Sequence, residues 1–214
     1  MGRRALPKLP ANLDLGGHLL EIGPDDGPFD PSTCFAPGRD LEVEVGSGKG
    51  LFLLNVSLQH PERDFLGIEI RRAYARHIAG RLARHQVSNA RIMPGDAEPF
   101  FARQLAEGSL AAVHVYFPDP WWKKRHHKRR IMNEGFLKQV ARVLRVDGRL
   151  HFWTDVEEYF RLSLELIAQS IPLEGPLVVP EREATHDLDY HTHFERRTRL
   201  NGLPVYRAEF RKPA

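Results

Sequence analysis

The sequence predicts an α/β fold, a doubly wound and mostly parallel sheet finished by a C-terminal antiparallel hairpin. Three observations carry the prediction. Short apolar runs alternate with segments of helical spacing between residues 41 and 170, the pattern of crossovers that lay strands parallel. Beyond residue 192 the pattern becomes alternation on both sides of Asn201-Gly202, which reads as a turn between antiparallel arms. The 214 residues suffice for one well-filled domain with a short extra segment.

Residues 1–39 are rich in Pro, Gly and Asp and read as an irregular N-terminal extension, with turns at Pro24-Asp25-Asp26-Gly27-Pro28 and a weak hairpin signal at Leu19-Leu20-Glu21-Ile22. The domain proper spans 40–214. Its first strand is Leu41-Glu42-Val43-Glu44-Val45, ended by Gly46, and a helix runs from Gly50 to Gln59 before Pro61. A second strand follows from Asp64 to Ile70. Arg71 to Gln86 shows helical spacing, with Tyr74, Ile78 and Leu82 on one side. Ala90 to Pro94 is the third strand, Glu98 to Ala106 a helix, and Ala111 to Phe117 the fourth strand. Phe136 to Leu144 is an amphipathic helix closed by Asp147-Gly148. Arg149 to Thr154 makes the fifth strand, and the helix from Val156 to Ser170 stops at Pro172. His193 to Leu200 and Val205 to Phe210 are the hairpin arms around Asn201-Gly202-Leu203-Pro204.

Composition narrows the chemistry. A formal net charge of +3 makes the basic character local rather than global. Cys34 is the only cysteine, so no intramolecular disulfide and no paired-cysteine metal clip can form. The histidines show no ligand spacing beyond His191-x-His193, and no metal is expected. Met1 to Pro7 carries charge without an apolar run behind it, and nothing approaches a membrane span. The expectation is a soluble, cytoplasmic protein, either monomer or homodimer.

Two stretches carry chemistry. In Phe117-Pro118-Asp119-Pro120-Trp121 the prolines stiffen the chain on either side of a carboxylate at a strand's end. The cations that follow, Lys123, Lys124, Arg125, Lys128, Arg129 and Arg130, are candidates for phosphate contacts. Trp121 is either an anchor of the turn or a platform for a base. The second stretch, Gly46-Ser47-Gly48-Lys49-Gly50, lies between the first strand and the first helix, where glycines let a ligand approach the backbone and free N–H groups point outward. It lacks the Ser or Thr of a phosphate-cradling loop after Lys49, and Leu51 makes only a partial dinucleotide pattern. Glu44 would repel a pyrophosphate but suits an ammonium, such as that of S-adenosylmethionine. Glu69 stands about 20 residues beyond the loop, where an acid binds ribose hydroxyls, and Asp96 ends the third strand.

On these residues the chain resembles the bacterial-type tRNA (guanine-N7-)-methyltransferases. The resemblance rests on Glu44 to Gly50, Phe65 to Glu69, Gly95-Asp96-Ala97, Phe117 to Trp121 with its basic tail, Thr154-Asp155, and Thr192 to Glu195. It covers residue 40 to near the C-terminus, and its Phe-Pro-Asp-Pro-Trp segment is the most specific part. It implies a class I, Rossmann-like methyltransferase sheet that uses S-adenosylmethionine, with tRNA as partner and 7-methylguanosine at position 46 of the variable loop as product. It further implies a cofactor pocket of Glu44, Gly46, Gly48, Glu69, Asp96 and Asp119, with Asp119 also the active-site residue. Lys123, Asp155, Thr192, His193, Phe194 and Glu195 would contact tRNA. Trp122 and Val156 depart from the family pattern, beside the base pocket.

Guanine N7 presents a free lone pair, so it needs no deprotonation before attack. Alignment can then supply much of the rate, about 7–11 kcal/mol at best. Asp119 either orients the base or stabilises the positive charge developing on it. The competing readings are a nicotinamide-dependent oxidoreductase, an RNA-binding module on an inactive methyltransferase fold, and a methyltransferase of another RNA. Leu51 and the missing substrate domain speak against the first, and the four intact acids against the second.

Overall fold

The structure is a computed structural model and describes residues 6–7, 9–10, 12–23, 25–181, 184, 186 and 189–214. Met1 to Ala5, and Pro24 of the expected turn run, lie outside the described residues. The chain order is β1 (Leu41–Val45), α1 (Leu51–Gln59), β2 (Asp64–Glu69), α2 (Arg72–Arg84), β3 (Ala90–Pro94), α3 (Ala97–Arg103) and β4 (Leu110–Tyr116). There follow α4 (Glu134–Val143), β5 (Leu144–Thr154), α5 (Glu157–Ser170), β6 (Glu174–Leu177), α6 (His193–Leu200) and β7 (Tyr206–Arg211). Among the described residues no helix is long and apolar enough to cross a membrane.

The strands form one sheet in the order β3-β2-β1-β4-β5-β7-β6. The first five run parallel; β7 lies antiparallel to β5 and to β6. Strand order reverses between β1 and β4. Open α/β sheets bind ligands outside the carboxyl ends of the strands at such a reversal. Helices α1 and α2 cover one face with Leu53, Ile78 and Leu82, and α3, α4 and α5 cover the other with Phe101, Leu137 and Ile167.

Alternation along β1 sends Leu41, Val43 and Val45 into the apolar core and Glu42 and Glu44 to the opposite face. Both faces are covered, so these carboxylates are buried. Glu42 is neutralised there. Its Oε2 lies 2.8 Å from His114 Nε2, its Oε1 accepts from Arg63 at 2.9 Å, and His114 Nδ1 lies 2.9 Å from the Tyr116 hydroxyl. Burial works against the charged form of Glu42, yet His114 and Arg63 hold its pKa at about 2.

Two expectations are corrected at the C-terminus. The antiparallel edge pair exists, but its first arm is Glu174–Leu177 rather than His193–Leu200. His193–Leu200 is instead a helix, because Thr192 caps it by accepting the Glu195 N–H at 3.0 Å. Asp147-Gly148 does not close α4 either: α4 passes directly into β5, and Asp147 takes a left-handed φ of 62° inside that strand. At the other end, Leu19 forms a single parallel bridge to Ile92 of β3 rather than a hairpin.

Candidate active site

The carboxyl ends of β1, β2, β3 and β4 gather the expected acids. After β1 the chain turns sharply: Gly46, Gly48 and Gly50 have φ of 83°, 56° and 69°, a left-handed run that side chains would strain. The loop is pinned to β2, since Gly46 and Ser47 donate to the Ile68 carbonyl at 2.8 and 3.1 Å. Gly67 permits that approach, because a Cβ there would fall 2.5 Å from Ser47 Oγ. Nothing lies within 4 Å of where a Cβ would stand on Gly46 or Gly48, so the loop presents open backbone.

Glu69 organises this corner. Its Oε2 accepts from the Gly48 N–H at 2.8 Å and its Oε1 from the Arg71 N–H at 2.9 Å. Burial nevertheless raises its pKa, opposed by those two bonds, and the charge of Asp119 adds to the rise. Glu44 is different in kind. It is buried, and its Oε2 has no hydrogen-bond partner. Burial pushes its pKa up to about 8; the nearby Ser47 side chain opposes the shift and the Glu69 charge reinforces it. An orphaned acid beside an open glycine loop is a poor structural element and a good receptor for an ammonium. Asp96, exposed at the end of β3, uses one oxygen to cap α3 through the Glu98 N–H at 3.1 Å. These residues fit the amino-acid and nucleoside ends of S-adenosylmethionine.

Asp119 is exposed just beyond β4. Phe117 and Trp121, on either side of Pro118-Asp119-Pro120, both adopt left-handed φ, at 50° and 46°. Non-glycine residues hold such values only where their surroundings fix them. Phe117 is buried, donates its N–H to the Trp153 carbonyl at 2.8 Å, and stacks on Phe194 with ring centroids 6.2 Å apart. Trp121 carries the Arg129 guanidinium 5.0 Å over its ring and the His126 ring edge-on at 5.8 Å. Trp121 is half-buried among these side chains, whereas Trp122 is 68% exposed.

The basic strip splits into two groups. Lys124–Arg129 form a 3-10 turn, and Lys123, Lys124, Arg125 and Lys128 are exposed with no carboxylate within salt-bridge distance among the described residues. Arg130 points inward and donates from Nε to the Pro120 carbonyl at 2.7 Å.

Helix α6 docks against this turn through Phe194. Thr198 Oγ1 donates to Asp155 Oδ2 at 3.4 Å, tying the end of β5 to α6. His193 lies close enough to Arg81 and Lys49 for their charges, after burial, to lower its pKa, so the start of α6 lies near the glycine loop. Glu195 is enclosed. It accepts the His191 N–H at 2.7 Å and lies 3.3 Å from Arg207 and 3.4 Å from Arg199. Burial opposes its charge, but His191 and Arg207 bring its pKa below the ordinary value. The structure thus sets Phe194 against Phe117 beside the Asp119 turn, ties Asp155 to α6, starts that helix at Thr192 and His193, and buries Glu195 among its ion pairs. Sequence reasoning missed the Glu42–His114–Tyr116 chain under the site and the inward turn of Arg130. The alternating acids of β1 were the only signal for the former.

Comparison with known proteins gives a consistent picture. A family model described as a putative methyltransferase matches residues 39–208. The tRNA (guanine-N(7)-)-methyltransferase of Rhodopirellula baltica is 52% identical over 220 residues, covering 99% of this chain and 80% of that protein. The enzyme of the same name from Alkalilimnicola ehrlichii is 35% identical over 193 residues, 90% of this chain and 81% of its own. Among solved structures, the 16S rRNA methyltransferase KamB superposes with a TM-score of 0.60 at 16% identity, covering 82% of this chain and 89% of that one. The tRNA (m1A58) methyltransferase TrmI of Aquifex aeolicus gives 0.53 at 16% identity, over 82% and 63%. At such identities the two structures speak for the fold alone.

Proposed function

The chain belongs to the tRNA (guanine-N7-)-methyltransferase family, and from that premise we propose how its own residues divide the work of methylating guanosine N7 in tRNA. When bound, S-adenosylmethionine supplies a methyl group on a sulfonium, already a strong electrophile. Glu44 receives the ammonium of the amino-acid part, and the open backbone of Gly46 and Gly48 lets the ligand lie against the loop. Glu69 and Asp96 face the ribose and adenine, each with a free lone pair beyond its bonds to the backbone. Glu44 carries the reading: a buried carboxylate oxygen without a partner, beside a left-handed glycine loop, at the point where strand order reverses.

N7 is a nucleophile without losing a proton, so no general base is required. Asp119 orients the base, accepting from its N1–H and amine edge, and its charge opposes the positive charge that develops on the ring. Lys123, Lys124, Arg125, Lys128 and Arg129 hold phosphates, while Asp155, Thr192, His193 and Phe194 line the substrate side. The family resemblance points to position 46 of the variable loop, and tRNA as substrate points to the cytoplasm. The test is incubation with unmodified tRNA and methyl-labelled cofactor, followed by mapping of the labelled nucleoside. Wild type should give 7-methylguanosine, and folded Asp119→Ala little or none. Near-normal turnover by Asp119→Ala would remove that residue from the chemistry.

A further inference from the structure

Arg130 belongs by sequence to the basic strip and by structure to the turn that carries Asp119. Residues 118–122 make no backbone–backbone hydrogen bond among the described residues, and two of them are prolines without an N–H to give. The Arg130 guanidinium supplies a hold instead. Nε donates to the Pro120 carbonyl at 2.7 Å, next in the chain to Asp119. The same group lies 4.9 Å over the ring of Tyr159 on α5, and its Nη2 is 3.2 Å from His127 Nε2. Tyr159 is itself buried and packs edge-on against Phe152 of β5 at 5.9 Å. The Arg130 carbonyl accepts from Asn133 Nδ2 at 3.0 Å, and Asn133 caps α4. One side chain thus ties the neck of the loop spanning 120–130 to the rigid layer of helices.

The placement of Asp119 follows from this. Its charge bears on both Glu69 and Tyr159, so it lies within electrostatic reach of the cofactor acid and of the residue that Arg130 covers. We propose that Arg130 is a positioning residue for methyl transfer: its planar fork fixes the Pro118-Asp119-Pro120 turn against Tyr159 and takes no part in gripping RNA. A lysine could keep the charge but cannot stack on the ring and donate sideways to a carbonyl at once. The inference rests on the reading of Asp119 as the group that faces the base.

Steady-state kinetics with tRNA at several salt concentrations tests it, using Arg130→Met, Arg130→Lys and Tyr159→Leu, with exposed Lys128→Met as the comparison. Arg130→Met is expected to lower kcat by about 10- to 100-fold, the scale of a small misplacement, with KM for tRNA and its salt slope nearly unchanged. Arg130→Lys should fail to restore kcat, and Tyr159→Leu should reproduce the loss. Lys128→Met should instead raise KM and reduce the salt slope by about one. In a chain already carrying Asp119→Ala, Arg130→Met should cost nothing further. A raised KM with a shallower salt slope in Arg130→Met, or full kcat in Arg130→Lys, would overturn the inference. If Arg130→Met does not fold, normal kcat in Tyr159→Leu or Arg130→Lys overturns it equally. An additive loss on top of Asp119→Ala sinks only the role of Arg130, whereas full turnover by Asp119→Ala sinks the reading beneath it.

Discussion

Binding of S-adenosylmethionine should depend on pH through Glu44, with a size that follows from its burial. The free protein holds this carboxyl at a pKa of about 8, first because it is desolvated and then because Glu69 is near. An ammonium pairs with the carboxylate form, so apparent affinity scales with the ionised fraction: about 1% at pH 6 and about 24% at pH 7.5. If only the carboxylate binds, affinity rises about 25-fold across that window, or about 2 kcal/mol. Near pH 7 binding should release close to one proton. Calorimetry in buffers of different ionisation enthalpy measures both quantities. Glu44→Gln keeps the volume and removes the titration, so it should bind more weakly at pH 7.5 with no such slope. Stability should move oppositely. The folded pKa lies above the unfolded value of about 4.5, so the contribution of Glu44 is fully present below pH 4.5 and is lost as pH rises through 8. At pH 8 the free Glu44→Gln protein should therefore be more stable than wild type, by up to about 5 kcal/mol. A flat wild-type affinity profile, or an equal slope in Glu44→Gln, would refute the assignment.

Glu42 should behave in the reverse sense, because His114 and Arg63 hold its pKa at about 2. Its contribution, about 3 kcal/mol, is present above pH 4.5 and lost as pH falls through 2; urea melts of wild type and Glu42→Gln should differ most at pH 6, with the gap about halved near pH 3, and a constant gap would contradict this. Lys123→Ala should weaken tRNA binding and lower its salt slope by about one while S-adenosylmethionine affinity stays the same; equal losses for both ligands would break that division. Thr192→Ala removes the cap of α6 and should cost about 1 kcal/mol in thermal unfolding, with a raised KM for tRNA. An unchanged KM would place α6 outside the substrate site.

Much of the sheet was legible because its strands and helices announce themselves by period. Leu41–Val45 and Ala90–Pro94 fall where the apolar runs put them, and most helices agree with expectation to within a few residues. The failures share a cause. His193 to Leu200 alternates in polarity, yet Thr192-x-x-Glu195 is a capping pattern, and the buried ion pairs of Glu195 with Arg207 and Arg199 favour the helix. Glu174–Leu177 is exposed throughout and pairs only because β7 offers it an edge, so no periodicity marks it. The alternation of acids along β1 does not say what lies over them. Their burial depends on His114, Arg63 and α1, all distant in sequence or unreadable as partners.

The turn at Asp119 shows why a site can be legible in its residues and illegible in its construction. Two non-glycine residues with left-handed φ cost about 1–3 kcal/mol each. Proline at 118 and 120 reduces the freedom the chain must lose but cannot by itself select those values. Selection comes from outside the motif: Trp153 and Phe194 hold Phe117, Arg129 and His126 hold Trp121, and Arg130 holds Pro120. A charge-assisted hydrogen bond such as that of Arg130 contributes about 1.5–3 kcal/mol, enough to offset one strained residue. The basic run therefore does two jobs that composition cannot separate. Its outward cations face solvent where phosphates can reach them, and Arg130 turns back to hold the turn that carries the carboxylate before any RNA arrives.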